Sequence, residues 1–293
     1  SDSAMKRDSI NDDVILVGLV GIRDDVRPEA AAAIRDVQEA GIQVVMITGD
    51  RKETAVAIAK EAGLLNDKAV ILTDENKAEM LEKYKTTTTS TDKEGIALTS
   101  EMLNSLTDDE VKILVSGIRV IARALPTDKS RMVRLCQEMN LVCGMTGDGV
   151  NDAPALKQAD IGFAMGDGTA VAQEAGDVVI LNNSLTSIKD CVLNSRTMAK
   201  SVEKFLIFQL TVNISTLLMN ILAPVFGIIE PFSIVQILWI NLIMDTLAAM
   251  AFGGEPILER YMNEKPALRT DNILSRYIKS AIGTSSVFIT LVS

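Results

Sequence analysis

Between Phe205 and Gly254 the chain carries only two charged residues, Glu230 and Asp245. Two apolar runs in this stretch, 205–229 and 234–253, each match the roughly 20 residues that cross a bilayer core as a helix. In lipid the backbone must satisfy its own polar groups, so such runs fold as helices and not as open strands. The turn between them contains "EPFS" and no lysine or arginine, whereas Lys200 and Lys204 precede the first run. Arg260, Lys265, Arg269, Arg276 and Lys279 follow the second. The positive-inside rule then predicts a hairpin with both ends on the cytoplasmic side. The final "SAIGTSSVFITLVS" reads as a third span, 280–293, cut short. The pattern predicts a multi-pass membrane protein in contact with lipid.

The 293 residues suffice for about two domains. Residues 205–293 hold six acids and five bases, so nearly all of the net charge of −10 lies before them. An acidic soluble part argues against nucleic acid or an anionic lipid surface as its partner. Cys136, Cys143 and Cys191 are too few for a disulfide framework, and without histidine a zinc site is disfavoured. The opening "SDSAMKRDS" has no apolar core and is not a signal peptide, which is the expectation for a fragment or a processed chain.

Through the first 180 residues apolar, β-rich runs alternate with helical patterns. "VILVGLVGI" (14–22) and "IQVVMITG" (42–49) read as strands; "RPEAAAAIRDVQEAG" (27–41) and "ETAVAIAKEAG" (53–63) read as helices. Further on, "IRVIARA", "LVCGMTG", "IGFAMG" and "DVVIL" read as strands separated by helices. Near-continuous apolar strands between helices predict an α/β fold, a parallel sheet with helices on both faces. The region 66–117 is less patterned, and "KTTTTSTDKEG" reads as a surface loop. From Ser184 to Phe226 the first proline is Pro224, so one helix of roughly 60 Å is expected to run from the soluble part into the membrane.

Ligands of open α/β sheets bind beyond the carboxyl ends of the strands. Three polar clusters fall at such ends: Thr48, Gly49 and Asp50; Lys129 in "TDKS"; and Asp148, Asn151 and Asp152 in "TGDGVND". Alone, the first is more often a turn and the second a solvated charge, while the third is as often a loop as a site. Together they supply a hydroxyl, a lysine and paired carboxylates, which is what phosphoryl transfer to an aspartate requires. The hydroxyl and lysine offset charge on the phosphoryl oxygens, and the carboxylates hold magnesium. Neighbouring glycines let backbone N–H groups approach a phosphate.

"MITGD", "TDKS" and "TGDGVNDAPALKQADIGFAMG", followed by a membrane-entering helix, resemble the P-type cation-transporting ATPases. Their phosphorylation domain has the haloacid dehalogenase-like fold, so the resemblance implies that fold joined to an all-α transmembrane region. It implies a partial phosphorylation domain over 1–183, a helical stalk over 184–204 and a membrane region over 205–293. It also implies ATP and Mg2+ as cofactors. Thr48, Gly49 and Asp50 would contact nucleotide phosphates, Arg123 the ribose, Lys129 the transferred phosphoryl group, and Asp148 magnesium. Asn151 would bond the phosphate and Asp152 orient the metal site. The family's nucleophile, the aspartate of Asp-Lys-Thr-Gly, does not occur in this chain. The chain thus resembles the second half of a pump, with the first half as missing partner, and is expected not to form a phosphoenzyme alone.

Ionisable and amide side chains inside a membrane span point to function. Gln209, Asn213, Thr216 and Asn220 lie in the first span; Asn241 and Asp245 lie in the second, spaced i, i+4 on one helix face. Asn213, Asn241 and Asp245 form an all-oxygen set that suits Ca2+ better than Mg2+. The alternative for Asn220 and Gln209 is hydrogen bonding between helices. "QLTVN" and "WINLIMDT" resemble calcium-transporting ATPases of the plasma-membrane type, which implies that membrane and a transported calcium ion. Thr216 stands where two-site calcium pumps carry glutamate, which implies one calcium per cycle. The rival readings are a pump for sodium, potassium or protons, a non-catalytic phosphate-binding membrane module, and a soluble phosphatase.

Overall fold

The computed structural model describes residues 26–86, 95–228 and 231–293. The strand expected over 14–22 and most of the "KTTTTSTDKEG" loop lie outside them. In chain order the soluble part runs α1 (Pro28–Glu39), β1 (Met46–Ile47), α2 (Lys52–Glu61), β2 (Val70–Ile71), α3 (Lys77–Thr86) and β3 (Ile96–Thr99). It continues with α4 (Ser100–Ser105), α5 (Asp108–Leu114), β4 (Ile118–Ala122), α6 (Pro126–Glu138) and β5 (Gly144–Gly147). After a 3-10 turn at Val150–Asp152 follow α7 (Ala153–Gln158), β6 (Ile161–Met165), α8 (Ala170–Ala175) and β7 (Val178–Ile180). The long helices are α9 (Leu185–Leu222), α10 (Ile234–Gly253) and α11 (Arg276–Val292).

All ladders are parallel, and the strands divide between two sheets, ordered β1-β4-β3-β2 and β5-β6-β7. Pleating sends alternate side chains to opposite faces. In β3, Ile96 and Leu98 join one core with Leu103, Leu114 and Leu135, while Ala97 joins another with Ile34, Ala55 and Ala59. Helices therefore cover both faces, and each fully buried Leu or Ile contributes about 1.5–3 kcal/mol. The large side chains fill the first core, whereas alanines let α2 approach the second face closely. The less patterned 66–117 region supplies β2, β3 and three helices, so it belongs to the sheet.

α9 is a single 38-residue helix, about 57 Å long at 1.5 Å per residue. Ser184 caps it by accepting from the Thr186 amide at 3.2 Å. It ends earlier than the apolar run, because Pro224 tightens the last turn and Gly227 takes a positive φ of 84°. α11 begins at Arg276, four residues before the expected span. Leu217, Leu238, Leu242, Leu247 and Met250 are exposed on α9 and α10. Two of these helices, α9 and α10, are long and apolar enough to cross a membrane, and their apolar faces point outward.

The segment 254–275 folds back on the soluble part. Arg196 on α9 donates to the carbonyls of Tyr261, Met262 and Glu264 and, at 2.7 Å, to that of Ala40 at the end of α1. Lys200 pairs with Glu264 at 3.2 Å and Lys204 with Glu255 at 2.5 Å, while Arg269 pairs with Asp160. Bonds from a charged donor are each worth roughly 1.5–3 kcal/mol. Arg196→Met, which keeps the aliphatic stem, is expected to raise hydrogen exchange across 261–264 by at least about tenfold. Unchanged exchange there would show that the lysine pairs and the Arg269–Asp160 pair suffice to hold the segment.

Candidate functional site

Thr48, Gly49 and Asp50 form the turn that leaves β1. The Thr48 hydroxyl donates to Asp50 Oδ2 at 2.8 Å and accepts from the Asp50 amide at 3.2 Å. This turn lies against the end of β4: Arg123 N–H donates to the Asp50 carbonyl and Ala124 N–H to the Thr48 carbonyl, both at 2.9 Å. Arg123 takes a left-handed φ of 51°, so the chain turns sharply there before α6. Its side chain is exposed. The first two clusters thus share one sheet edge.

Lys129 lies in the first turn of α6. Asp128, only 1 % exposed, anchors that turn. Its carboxylate accepts from Ser100 Oγ at 2.5 Å, the Leu125 amide at 2.8 Å and Asn104 Nδ2 at 3.3 Å. A buried carboxylate is costly without such partners, so this network fixes the start of α6 and with it the direction of Lys129. Asp128 was overlooked in "TDKS"; its signal is its place three residues after Leu125, where an acidic side chain caps a helix start.

The Lys129 ammonium reaches Asp152 Oδ1 at 2.5 Å, joining α6 to the turn after β5. Asp152 is 6 % exposed, and its Oδ2 also accepts from the Asp148 and Gly149 amides at 3.3 Å. One carboxylate thereby shapes the whole "TGDGVND" turn. Gly147 is required there, since a Cβ would sit 2.4 Å from Asp152 Cβ. Gly168 packs as tightly on the other side, where a Cβ would meet the Asp148 carbonyl at 2.8 Å. Asp148 and Asn151 are exposed, and their side chains have no hydrogen-bond partner among the described residues. Between the Thr48 turn and the Asp148 turn no direct hydrogen bond or ion pair occurs among the described residues. They are linked through β4, α6 and the Lys129–Asp152 pair.

No group of three or more acidic or cysteine side chains that could hold a metal occurs among the described residues. Magnesium does not need one, because it binds through one or two carboxylates with water and substrate phosphate. The free Asp148 carboxylate fits that donor set, and Asp152 is already engaged by Lys129.

In the membrane region Gln209 Nε2 on α9 donates to Asp245 Oδ2 on α10 at 2.9 Å. Gln209 therefore bridges helices. Asn220 does not: it donates to the Thr216 carbonyl of its own helix at 2.9 Å. Asn213 and Asn241 are half-buried, each one helical turn from a member of the Gln209–Asp245 pair. Neither side chain has a hydrogen-bond partner among the described residues.

The family described as haloacid dehalogenase-like hydrolase matches residues 3–160, and a second description of that family matches 132–191. Residues 229–293 match the family described as cation transporting ATPase, C-terminus. The chain is 40% identical over 268 residues, 91% of its length, to "Probable calcium-transporting ATPase 6, plasma membrane-type" of Oryza sativa subsp. japonica. It is 37% identical over 278 residues, 94% of its length, to "Calcium-transporting ATPase 12, plasma membrane-type" of Arabidopsis thaliana. It covers 24% of each of these relatives. The strand-end clusters and the polar residues of α9 and α10 both lie inside the matches to these relatives. The chain belongs to the haloacid dehalogenase-like hydrolase family, and its similarity to calcium-transporting ATPases of the plasma-membrane type runs on through its membrane helices.

Proposed function

We propose that the chain works as part of an ATP-driven calcium pump, coupling hydrolysis through an aspartyl-phosphate to calcium movement across a plasma membrane. One observation carries this reading: α9 runs unbroken from the sheet domain with its Lys129–Asp152 pair to the Gln209–Asp245 bond. Residues 1–183 would form the phosphorylation domain on the cytoplasmic side, 184–204 the stalk and 205–293 the membrane region. The relatives' names supply calcium as the cargo.

β1 and β5 are each paired on one edge only among the described residues. A parallel strand from an upstream segment, lying between them, would deliver a carboxylate at its carboxyl end beside Thr48, Lys129 and Asp148. That is where the Asp-Lys-Thr-Gly nucleophile would act, and this chain without it would be inactive. Thr48, Gly49, Asp50 and Asn151 would bind and orient phosphate oxygens, and Arg123 the ribose. Lys129 would offset developing phosphoryl charge, and Asp152 would hold Lys129 and the Asp148 turn in place. Asp148 would hold magnesium, which when bound shields carboxylate and phosphate from each other. Rotation of the sheet domain would act through α9 as a lever on Asn213, Asn241 and Asp245.

The test is ATP hydrolysis by the complete protein in membrane vesicles, titrated with calcium and separately with potassium. Calcium stimulation with an acid-stable phosphoenzyme is expected. Stimulation by potassium alone would assign another cation. A product with no phosphoenzyme under any ion would leave a phosphate-binding membrane module.

A further inference from the structure

Three polar side chains in the apolar half of α9 bond within their own helix. Ser215 donates to the Thr211 carbonyl, Thr216 to that of Val212 and Asn220 to that of Thr216. Gln209 combines two features, the second of which it shares with the Thr211 hydroxyl. Its amide N–H reaches across to Asp245, and its Oε1 is buried with no hydrogen-bond partner among the described residues. An amide oxygen desolvated without a donor is destabilising, and leucine would pack between two apolar helices without that cost. Satisfying the helix interface alone does not account for it.

The surroundings point to a cation. Gln209 and Asn213 are four residues apart on α9, and Asn241 and Asp245 are four apart on α10. Each pair lies on one face, and the Gln209–Asp245 bond turns the two faces toward each other. The resulting set offers three amide oxygens and one carboxylate, all hard donors.

We infer that Gln209 is part of the cation site, its N–H holding Asp245 and its Oε1 serving as a further oxygen ligand. This rests on the proposed calcium reading and adds a residue to it. The two roles belong to one planar group. The N–H places partial positive charge against the carboxylate, where a cation would otherwise sit. Rotation about Cγ–Cδ exchanges that donor for an oxygen, so one side chain can serve the site with and without its ion.

The experiment compares Gln209→Leu and Gln209→Glu with wild type in the complete protein. It measures equilibrium binding of radiocalcium without ATP, and the calcium concentration for half-maximal ATP hydrolysis. Leucine is expected to weaken both by about ten- to a hundredfold, the range seen for groups that orient metal ligands. Glutamate keeps an oxygen in place and is expected to recover at least part of that loss. Should Gln209→Leu fail to accumulate in the membrane, Gln209→Glu decides alone. Calcium affinity lost there as completely as in Asp245→Asn would overturn the ligand role. Unchanged affinity in the leucine variant would overturn it too, leaving Gln209 as a bridge between helices. Wild-type protein that shows no calcium dependence at all would instead overturn the calcium reading itself.

Discussion

Asp245→Asn is expected to raise the calcium concentration for half-maximal ATP hydrolysis by at least about a hundredfold, or about 2.8 kcal/mol. The substitution is close to isosteric, so helix α10 and its packing on α9 are kept. It removes the one carboxylate among the described residues between 205 and 253, and charge count is what tunes oxygen sites for calcium. The Gln209 amide can still bond an asparagine, so a loss of function would report charge and not a broken helix contact. Asp245→Glu keeps the charge but lengthens the arm, and is expected to fall between the two. Normal calcium stimulation in the asparagine variant would sink the assignment of this site.

The second large effect is expected at Lys129. Lys129→Met leaves Asp152, 6 % exposed, without its cation, at a stability cost of roughly 2–4 kcal/mol, discounted because the lysine is partly solvated. In the proposed role of Lys129 it would also remove a charge from beside the phosphoryl group, so phosphoenzyme formation by the complete protein should fall roughly a hundred- to a thousandfold. Lys129→Met combined with Asp152→Asn separates the two effects. Neutralising the stranded carboxylate should recover most of the stability while leaving phosphorylation as slow. Recovery of phosphorylation in the double variant would show that Lys129 acts only by holding the turn.

Much of the architecture was legible from local pattern. Apolar runs between turn residues marked β1, β4, β5, β6 and β7, though not β2 and β3, and the absence of proline before Pro224 marked α9 as continuous. The division into two sheets was not, because a strand's own residues do not say which edge it pairs with. The chemistry divided in the same way. Thr48, Lys129 and Asp148 were visible as residue types at strand ends, whereas Asp128 looked like an ordinary charge until its burial against Ser100 and Asn104 was seen.

By itself, then, the amino-acid order determined most of the described strands and helices and which helices are apolar enough to span a membrane, since hydrophobic period and length act over neighbouring residues. It also determined which side chains could bear charge at the strand ends and within the apolar helices. Only the tertiary structure decided whom those groups meet. Lys129 meets Asp152 across 23 residues, Gln209 meets Asp245 across 36, and Arg196 meets the Ala40 carbonyl across 156. A polar side chain spends its hydrogen bonds on whatever packing brings within about 3 Å, and packing is set by apolar surfaces elsewhere on the same elements.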